Sequence, residues 1–333
     1  MHPFAQFIQI LGKGRNGMRP LDRQQAYEAM SMIVDGEVMP EQLGAFLMLM
    51  RVKEETAEEV AGFTQALRER MEIPQSDIRP AIDWAAYAGK KRHLPWFLLA
   101  ALLLGQNGCP VFMHGLSRED ERVYIPEALK MLGLPVADSV EDAISQLNAI
   151  GFSYLPIEKL SPKTAELIAM RDIFGLRPPL NTVARMLNPF AAPLSLMGVF
   201  HPNFSGIHQK ALALLGQPRA LVVKGEGGEF ERVPDRNAEL FTVFDGIESQ
   251  VQWPAFLAPG KEVKPGHLDL SHLRAVWEGQ AADSYGERAV IGTLAMVIFA
   301  LGLEKEHEAA HVLAQNWWAE HSTTSLAGGS SDE

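Results

Sequence analysis

Ala81-Ile82-Asp83-Trp84-Ala85-Ala86-Tyr87-Ala88-Gly89-Lys90-Lys91-Arg92-His93 leads into Leu94-Pro95-Trp96-Phe97-Leu98-Leu99-Ala100-Ala101-Leu102-Leu103-Leu104-Gly105. Past Gly108 comes Pro110-Val111-Phe112-Met113-His114-Gly115. An apolar run, a small-residue turn with basic side chains, an apolar helix and a second apolar run read as strand, loop, helix, strand: one βαβ unit. Pro95 suits the first turn of the helix, where its missing N–H is not needed. Ligands of such sheets bind at the carboxyl ends of the strands, so Ala88 to His93 and His114 to Glu121 are expected to face one crevice. Lys90, Lys91 and Arg92 would bring positive charge there, beside a helix N-terminus that itself attracts anions.

Upstream of this unit the chain reads as helices punctuated by glycines and prolines. Phe4 to Leu11 is amphipathic; Leu21 to Val34 has a start signal at Asp22 and a stop at Gly36. Pro40 or Glu41 opens Gln42 to Met50, apolar all round and expected to be buried. Glu54 to Glu59 places acids where the next helix, running to about Arg70, begins. These helices form a small all-helical domain over residues 1–74, with Ile73 to Pro80 as the linker.

Downstream, helices over 125–132 and 140–149, a strand over 152–156 and a helix over 158–173 precede the prolines at 178 and 179. Leu194 to Phe200, Phe204 to Leu215 and Ala220 to Val223 repeat strand, helix, strand, and Gly225 to Gly228 forces a loop. Leu240 to Gln252 is β-rich, Pro259 to His272 is an irregular connection, and Ser284 to Leu301 and Glu304 to His321 are closing helices. The fold class is α/β with a mostly parallel central sheet, and a Ser/Gly-rich acidic tail over 322–333 is expected to be disordered.

Composition bounds what such a chain does. Its 333 residues, 47% hydrophobic, are enough for two domains. The single cysteine, Cys109, excludes an intramolecular disulfide and reads as a buried small hydrophobe; with no signal peptide, a cytoplasmic location is expected. The longest apolar runs are too short or too interrupted for a membrane span, so no membrane partner is expected. A net charge of −11 argues against wholesale wrapping by nucleic acid but leaves room for a local basic patch.

Ile33-Val34-Asp35-Gly36-Glu37, Pro40 to Met48, Arg51 to Thr56 and Glu59-Val60-Ala61-Gly62, followed in order by Arg171, Arg177, Asn181, Asn188-Pro189 and Met197-Gly198-Val199-Phe200, resemble the anthranilate phosphoribosyltransferase family. That family belongs to the glycosyltransferase family 3 group, which includes the pyrimidine nucleoside phosphorylases. The resemblance covers roughly residues 4 to 256 and implies a small helical domain, completed by a helix from about 163–187, beside a large α/β domain over 75–162 and 188–321, and a homodimer through the helical domain. The apolar face around Leu43 to Met50, with Phe7, Ile8 and Met30 to Ile33, is the expected dimer surface.

The family holds phosphoribosyl diphosphate and magnesium with a Gly-Thr-Gly-Gly-Asp loop, and here the matching positions read Ala86-Tyr87-Ala88-Gly89-Lys90. Its next phosphate contacts fall near Pro95, Phe97 and Leu98, which offer no side-chain donor. Its Lys-His-Gly-Asn motif becomes Met113-His114-Gly115-Leu116, and the serine-rich loop becomes Arg118-Glu119-Asp120-Glu121-Arg122. The magnesium-binding Asp-Glu pair becomes Phe230-Glu231, so Glu231 is the only retained metal counterpart. Arg171, Arg177 and Asn181 are the counterparts of the family's substrate site.

Two functions follow. In the first, phosphoribosyl transfer is lost, no cofactor is required, and the refitted crevice binds a polyanion without reading sequence, DNA or RNA alike. A branch of the family with altered phosphate loops, the YbiB-type proteins, is implied by the resemblance to bind nucleic acid in this manner. The expected anion site is Gly89, Lys90, Lys91, Arg92, His93, His114, Gly115 and Arg118, which Lys13, Arg15 and Arg19 could extend. In the second, the chain is a transferase of unidentified substrate, with magnesium as cofactor and His114 and Glu121 as candidate catalytic acid and base.

Overall fold

The computed structural model describes residues 1–14, 16–118, 121–255 and 268–322. Helices α1 (Ala5–Gly12), α2 (Arg23–Val34), α3 (Pro40–Lys53) and α4 (Ala57–Arg68) form the N-terminal part. Asp22 starts α2 because its carboxylate accepts from Gln25 N (2.8 Å) while the Gln25 side chain returns to Asp22 N. Thr56 and Glu59 make the same reciprocal cap for α4, and Pro40 occupies the first turn of α3. Phe46 joins Phe4 and Phe63 edge to face, at centroid distances of 5.3 and 6.0 Å, in the core these helices share.

In α3, Phe46, Leu47 and Met50 point inward, whereas Leu43, Met48 and Leu49 are only partly covered and Ala45 is exposed. The expected all-round burial of this segment is therefore corrected to one face. The expected dimer surface is corrected with it: Phe7, Met30 and Ile33 are consumed inside the bundle. What remains partly open is Ile8, Met32, Leu43, Met48 and Leu49, beside exposed Met39 and Val52.

The α/β part follows as β1 (Ile82–Ala86), α5 (Trp96–Gln106), β2 (Val111–Gly115), α6 (Ile125–Met131), α7 (Val140–Ile150), β3 (Phe152–Pro156) and the short α8 (Ile157–Leu160). Helices α9 (Pro162–Ala169), α10 (Arg171–Phe174) and α11 (Leu180–Val183) then return to the bundle. There Leu167, Leu180 and Val183 share a core with Phe63 and Leu67, and the Arg68 guanidinium donates to Met186 O at 2.6 and 3.0 Å. The chain continues through β4 (Leu194–Val199), α12 (Asn203–Leu214), β5 (Arg219–Lys224), β6 (Ala238–Phe244), β7 (Ile247–Trp253), α13 (Leu270–Trp277), α14 (Ser284–Leu301) and α15 (His307–Ala319).

One seven-stranded sheet has the order β3-β2-β1-β4-β5-β6-β7. Its first five strands are mutually parallel, with Ile82 opposite both Val111 and Leu194, and β6 and β7 run antiparallel at one edge. Asp245 and Gly246, both at positive φ (52° and 79°), turn the β6–β7 hairpin with the hand that matches strand twist. The order reverses between β1 and β4, so the loops after β1, β2, β4 and β5 gather at the switch point where ligands of such sheets bind. Gly115 permits the close β1–β2 approach there, since a Cβ would lie 1.8 Å from Ala86 O.

Several expectations need adjusting. The helix expected over 158–173 is three, because Pro162 can only begin a helix and Gly175 takes the left-handed conformation that ends α10. The connection read as irregular, Pro259 to His272, ends inside α13, which Asp269 caps and which runs on to Trp277. Cys109 is half-buried rather than buried, because it follows an exposed turn. By length and composition α14 could cross a membrane, yet 61% of it is buried, packed against α5, β5 and α15. Arg15, Glu119, Asp120, residues 259–267 of the expected connection and 323–333 of the expected tail lie outside the described residues.

Candidate functional site

The loop after β1 is stapled to the loop after β2: Lys90 and Val123 exchange both backbone hydrogen bonds at 2.9 Å. Gly89 turns this loop at φ 65°, and a Cβ there would meet the Tyr124 ring at 2.9 Å. Backbone N–H groups of Ala88 and Gly89 both donate to Oε1 of Glu229, each at 2.6 Å. A buried carboxylate from the loop after β5 thus sits on the amides of the loop after β1.

Lys90 was expected to meet an external anion and does not. Its side chain is wholly buried, and its ammonium lies 2.5 Å from Glu231 Oε1 and 2.8 Å from Glu226 Oε2. Burial alone would push this ammonium's pKa down; Glu231 and Glu226 outweigh it and hold the pKa above its ordinary value. Oε2 of Glu231 accepts from Phe97 N at the start of α5 (2.9 Å), so the helix N-terminus expected to attract a ligand is satisfied from within. Phe230 is buried edge-on against Trp84, with a centroid distance of 5.3 Å.

His114 is likewise inside the protein. Tyr87 Oη contacts its Nδ1 at 2.8 Å, Asp83 lies 3.3 Å from its Nε2, and Phe112 stacks on it. Glu121, proposed as its catalytic companion, is on the surface in an ion pair with Lys91 (2.9 Å). The structure does not bring these two together as an acid/base pair.

The expected single crevice is two. Arg92, exposed, and His93, half-buried and stacked 4.3 Å from Tyr285, line a cavity of about 520 Å³ together with Glu226, Glu231 and Lys224. A second cavity, of about 50 Å³, lies between the loops after β1 and β2 and the helices α9 to α11. Tyr87, Ala88, Arg118, Arg122, Tyr124, Arg171, Arg177 and Asn181 line it, with no acidic side chain among its described lining residues. Arg122 also donates to Ala88 O at 2.7 Å, and Arg118 pairs with Asp172 at 3.0 Å. Partial burial and then Arg171, Arg122 and Arg185 push the Arg177 guanidinium's pKa down, the mark of crowded like charge.

Arg118, from the expected anion site, and Arg171, Arg177 and Asn181, the expected counterparts of the family's substrate site, therefore share one cavity, and Lys90 and His114 are withdrawn from it by burial. Gly89 and Gly115 shape backbone there, while Lys91, Arg92 and His93 turn elsewhere. Sequence reasoning passed over Arg122, Arg185 and Glu229. Arg185 lies 5.8 Å from the Tyr87 ring centroid and donates to Gly228 O. The available signal was Glu226-Gly227-Gly228-Glu229-Phe230-Glu231, three acids on a glycine-rich loop at the same sheet edge as an isolated basic run.

Residues 6–71 match the family model described as "Glycosyl transferase family, helical bundle domain". The chain is 29% identical over 271 residues to the uncharacterized protein YbiB of Escherichia coli (strain K12), covering 80% of this chain and 84% of that protein. It is 30% identical over 234 residues to the anthranilate phosphoribosyltransferase of Desulfitobacterium hafniense (strain Y51), covering 69% and 68%. The crystal structure of anthranilate phosphoribosyltransferase from Thermus thermophilus superposes with a TM-score of 0.82 at 23% identity, over 98% of this chain and 97% of that one. The Saccharomyces cerevisiae enzyme in complex with PRPP and Mg superposes with a TM-score of 0.74 at 13% identity, over 95% and 93%.

Proposed function

The chain belongs to the anthranilate phosphoribosyltransferase family, and from that premise we propose that it uses the family's frame to bind the phosphate backbone of nucleic acid rather than to transfer a phosphoribosyl group. The observation that carries this reading is the convergence of Arg118, Arg122, Arg171 and Arg177 on one small cavity in an otherwise acidic chain. Guanidinium groups suit phosphate because their fork of donors matches its oxygens. A space of about 50 Å³ admits phosphate oxygens but not a base, so recognition is of backbone, independent of sequence and open to DNA and RNA.

Magnesium, implied by the family, does not fit the residues present. A divalent cation needs several oxygen ligands, and here Glu231 and Glu226 already hold an ammonium while Phe230 offers no oxygen. Among the described residues no cluster of His, Cys, Asp and Glu could hold a metal. The reading also includes a cytoplasmic homodimer, joined through the partly open apolar stripe of α1 and α3; sedimentation as a monomer at micromolar concentration would remove that part.

The test is a salt titration of binding to single-stranded DNA, duplex DNA and RNA. Replacing Arg171 and Arg177 together by Ala should lower the magnitude of the log-affinity against log-salt slope by roughly 1.4 to 1.8, about 0.7 to 0.9 for each phosphate no longer neutralised. Unchanged slopes would move the site elsewhere. Product formation from anthranilate and phosphoribosyl diphosphate at about 1 per second or faster would overturn the reading.

A further inference from the structure

We infer that the diphosphate-and-metal subsite of this frame is filled by the chain's own side chains, with the Lys90 ammonium as resident cation and the Glu229 carboxylate as resident anion. The inference deepens the proposed function and rests on its reading of the chain as a family member that no longer transfers phosphoribosyl groups.

Each half has its own geometry. Successive N–H groups of Ala88 and Gly89, on a turn with Gly89 at positive φ, form an anion-binding nest, and both point at one oxygen of Glu229. That carboxylate is 1% exposed, and Arg185 supplies its main opposing charge. Any diphosphate on this loop would need the same two donors. On the other side, Lys90 contacts one oxygen each of Glu226 and Glu231, and a divalent cation would need those oxygens. Phe97 N holds the second oxygen of Glu231 and fixes the carboxylate's orientation.

Removing either occupant should expose the ligand preference of what remains. Without the Lys90 side chain, two carboxylates face one space at the wall of the 520 Å³ cavity, from which water can complete a coordination shell. Without the Glu229 carboxylate, two convergent N–H donors beside Arg185 make a site for a phosphate or diphosphate oxyanion. The latent ligands are thus a divalent cation and an inorganic oxyanion, each excluded in the native chain by an internal group of the same charge sign.

The full chain and four variants test this: Lys90→Ala, Lys90→Met with Glu231→Gln, Glu229→Ala and Glu229→Gln. Mn²⁺ binding is read from loss of the free-ion electron paramagnetic resonance signal and from melting temperature, and inorganic pyrophosphate binding from calorimetry. Lys90→Ala should bind Mn²⁺ and gain roughly 3–5 °C near a hundredfold excess over its dissociation constant. The wild type and the Lys90→Met, Glu231→Gln double variant, which keeps Glu226 as its single carboxylate there, should not respond. Glu229→Ala should bind pyrophosphate at least about tenfold more tightly than wild type. Glu229→Gln, whose amide oxygen still accepts both N–H groups, should match wild type.

A Lys90→Ala protein that folds only with Mn²⁺ supports the cation half. One that folds without binding Mn²⁺, or stays unfolded in its presence, overturns that half. Pyrophosphate binding to wild type as tight as to Glu229→Ala, or no binding to Glu229→Ala, overturns the anion half. All four variants keep Arg118, Arg122, Arg171 and Arg177, so pyrophosphate held by those arginines is common to every protein compared, and a failure here is distinct from flat salt slopes.

Discussion

Lys90, Lys91 and Arg92 follow one another in the chain, yet Lys90 lies wholly inside the protein against two carboxylates while Lys91 reaches Glu121 at the surface. Breaking a buried ion pair from one side leaves an uncompensated charge, so Lys90→Ala should destabilise the fold by about 3–5 kcal/mol in urea unfolding without added metal. Lys91→Ala and Arg92→Ala should each stay within about 0.5 kcal/mol. The basic run itself was legible; its division was not, because the partners of Lys90 lie on a loop some 140 positions further on. Local charge reads as solvated until a distant segment is known to cover it. Buried His208 offers a second test at this scale, since burial and then Arg185 lower its pKa from 6.5 to about 3. With the folded-state pKa depressed, the neutral ring's contribution is fully present above the unfolded pKa and fades as pH falls below it. Between about pH 6 and 4.5 the wild type should lose up to about 1.4 kcal/mol per pH unit more than His208→Gln, measured by unfolding at each pH.

The elements most readable in the chain were those whose ends are set by side chains at the junction itself. Asp22 and Gln25 start α2, Thr56 and Glu59 start α4, and Ser139 and Gly151 bracket α7. Glycine-marked turns separated β2 and β3 in the same way, whereas Leu240 to Gln252 read as one β-rich segment and its division by the Asp245-Gly246 turn came only with the structure. Helix α13 was missed although Leu270, Leu273, Val276 and Trp277 repeat at helical spacing, because the preceding Pro265-Gly266 drew the whole stretch into a loop. Close helix contact was not legible at all: a Cβ on Gly62 of α4 would lie 2.4 Å from Arg23 O and 2.8 Å from Ala26 Cβ on α2. Backbone atoms cannot swing aside as a flexible side chain can, so Gly62→Ala should force the helices apart and cost about 1–3 kcal/mol in thermal or urea unfolding. A comparable substitution at Gly36, where nothing lies within 4 Å, meets only its positive φ.

Across the whole molecule, the mostly parallel sheet and the helical part beside it were legible from alternating strand and helix patterns and from the family resemblance. The candidate site was legible only in part: Arg118, Arg171, Arg177 and Asn181 belong to it, while the groups that fill its neighbouring subsite come from loops that meet only once the sheet is assembled. The helical part is not contiguous in the chain. Its α4 face is completed by α11, by Met186 accepting from Arg68, and by α12, all of which follow β1 to β3 in sequence. During synthesis at roughly 5–20 residues per second, the stretch between α4 and Met186 takes on the order of ten seconds to appear. For that interval the first helices have apolar surface with nothing yet to cover it, and a nascent chain halted before α9 would be an apt client for a holding chaperone.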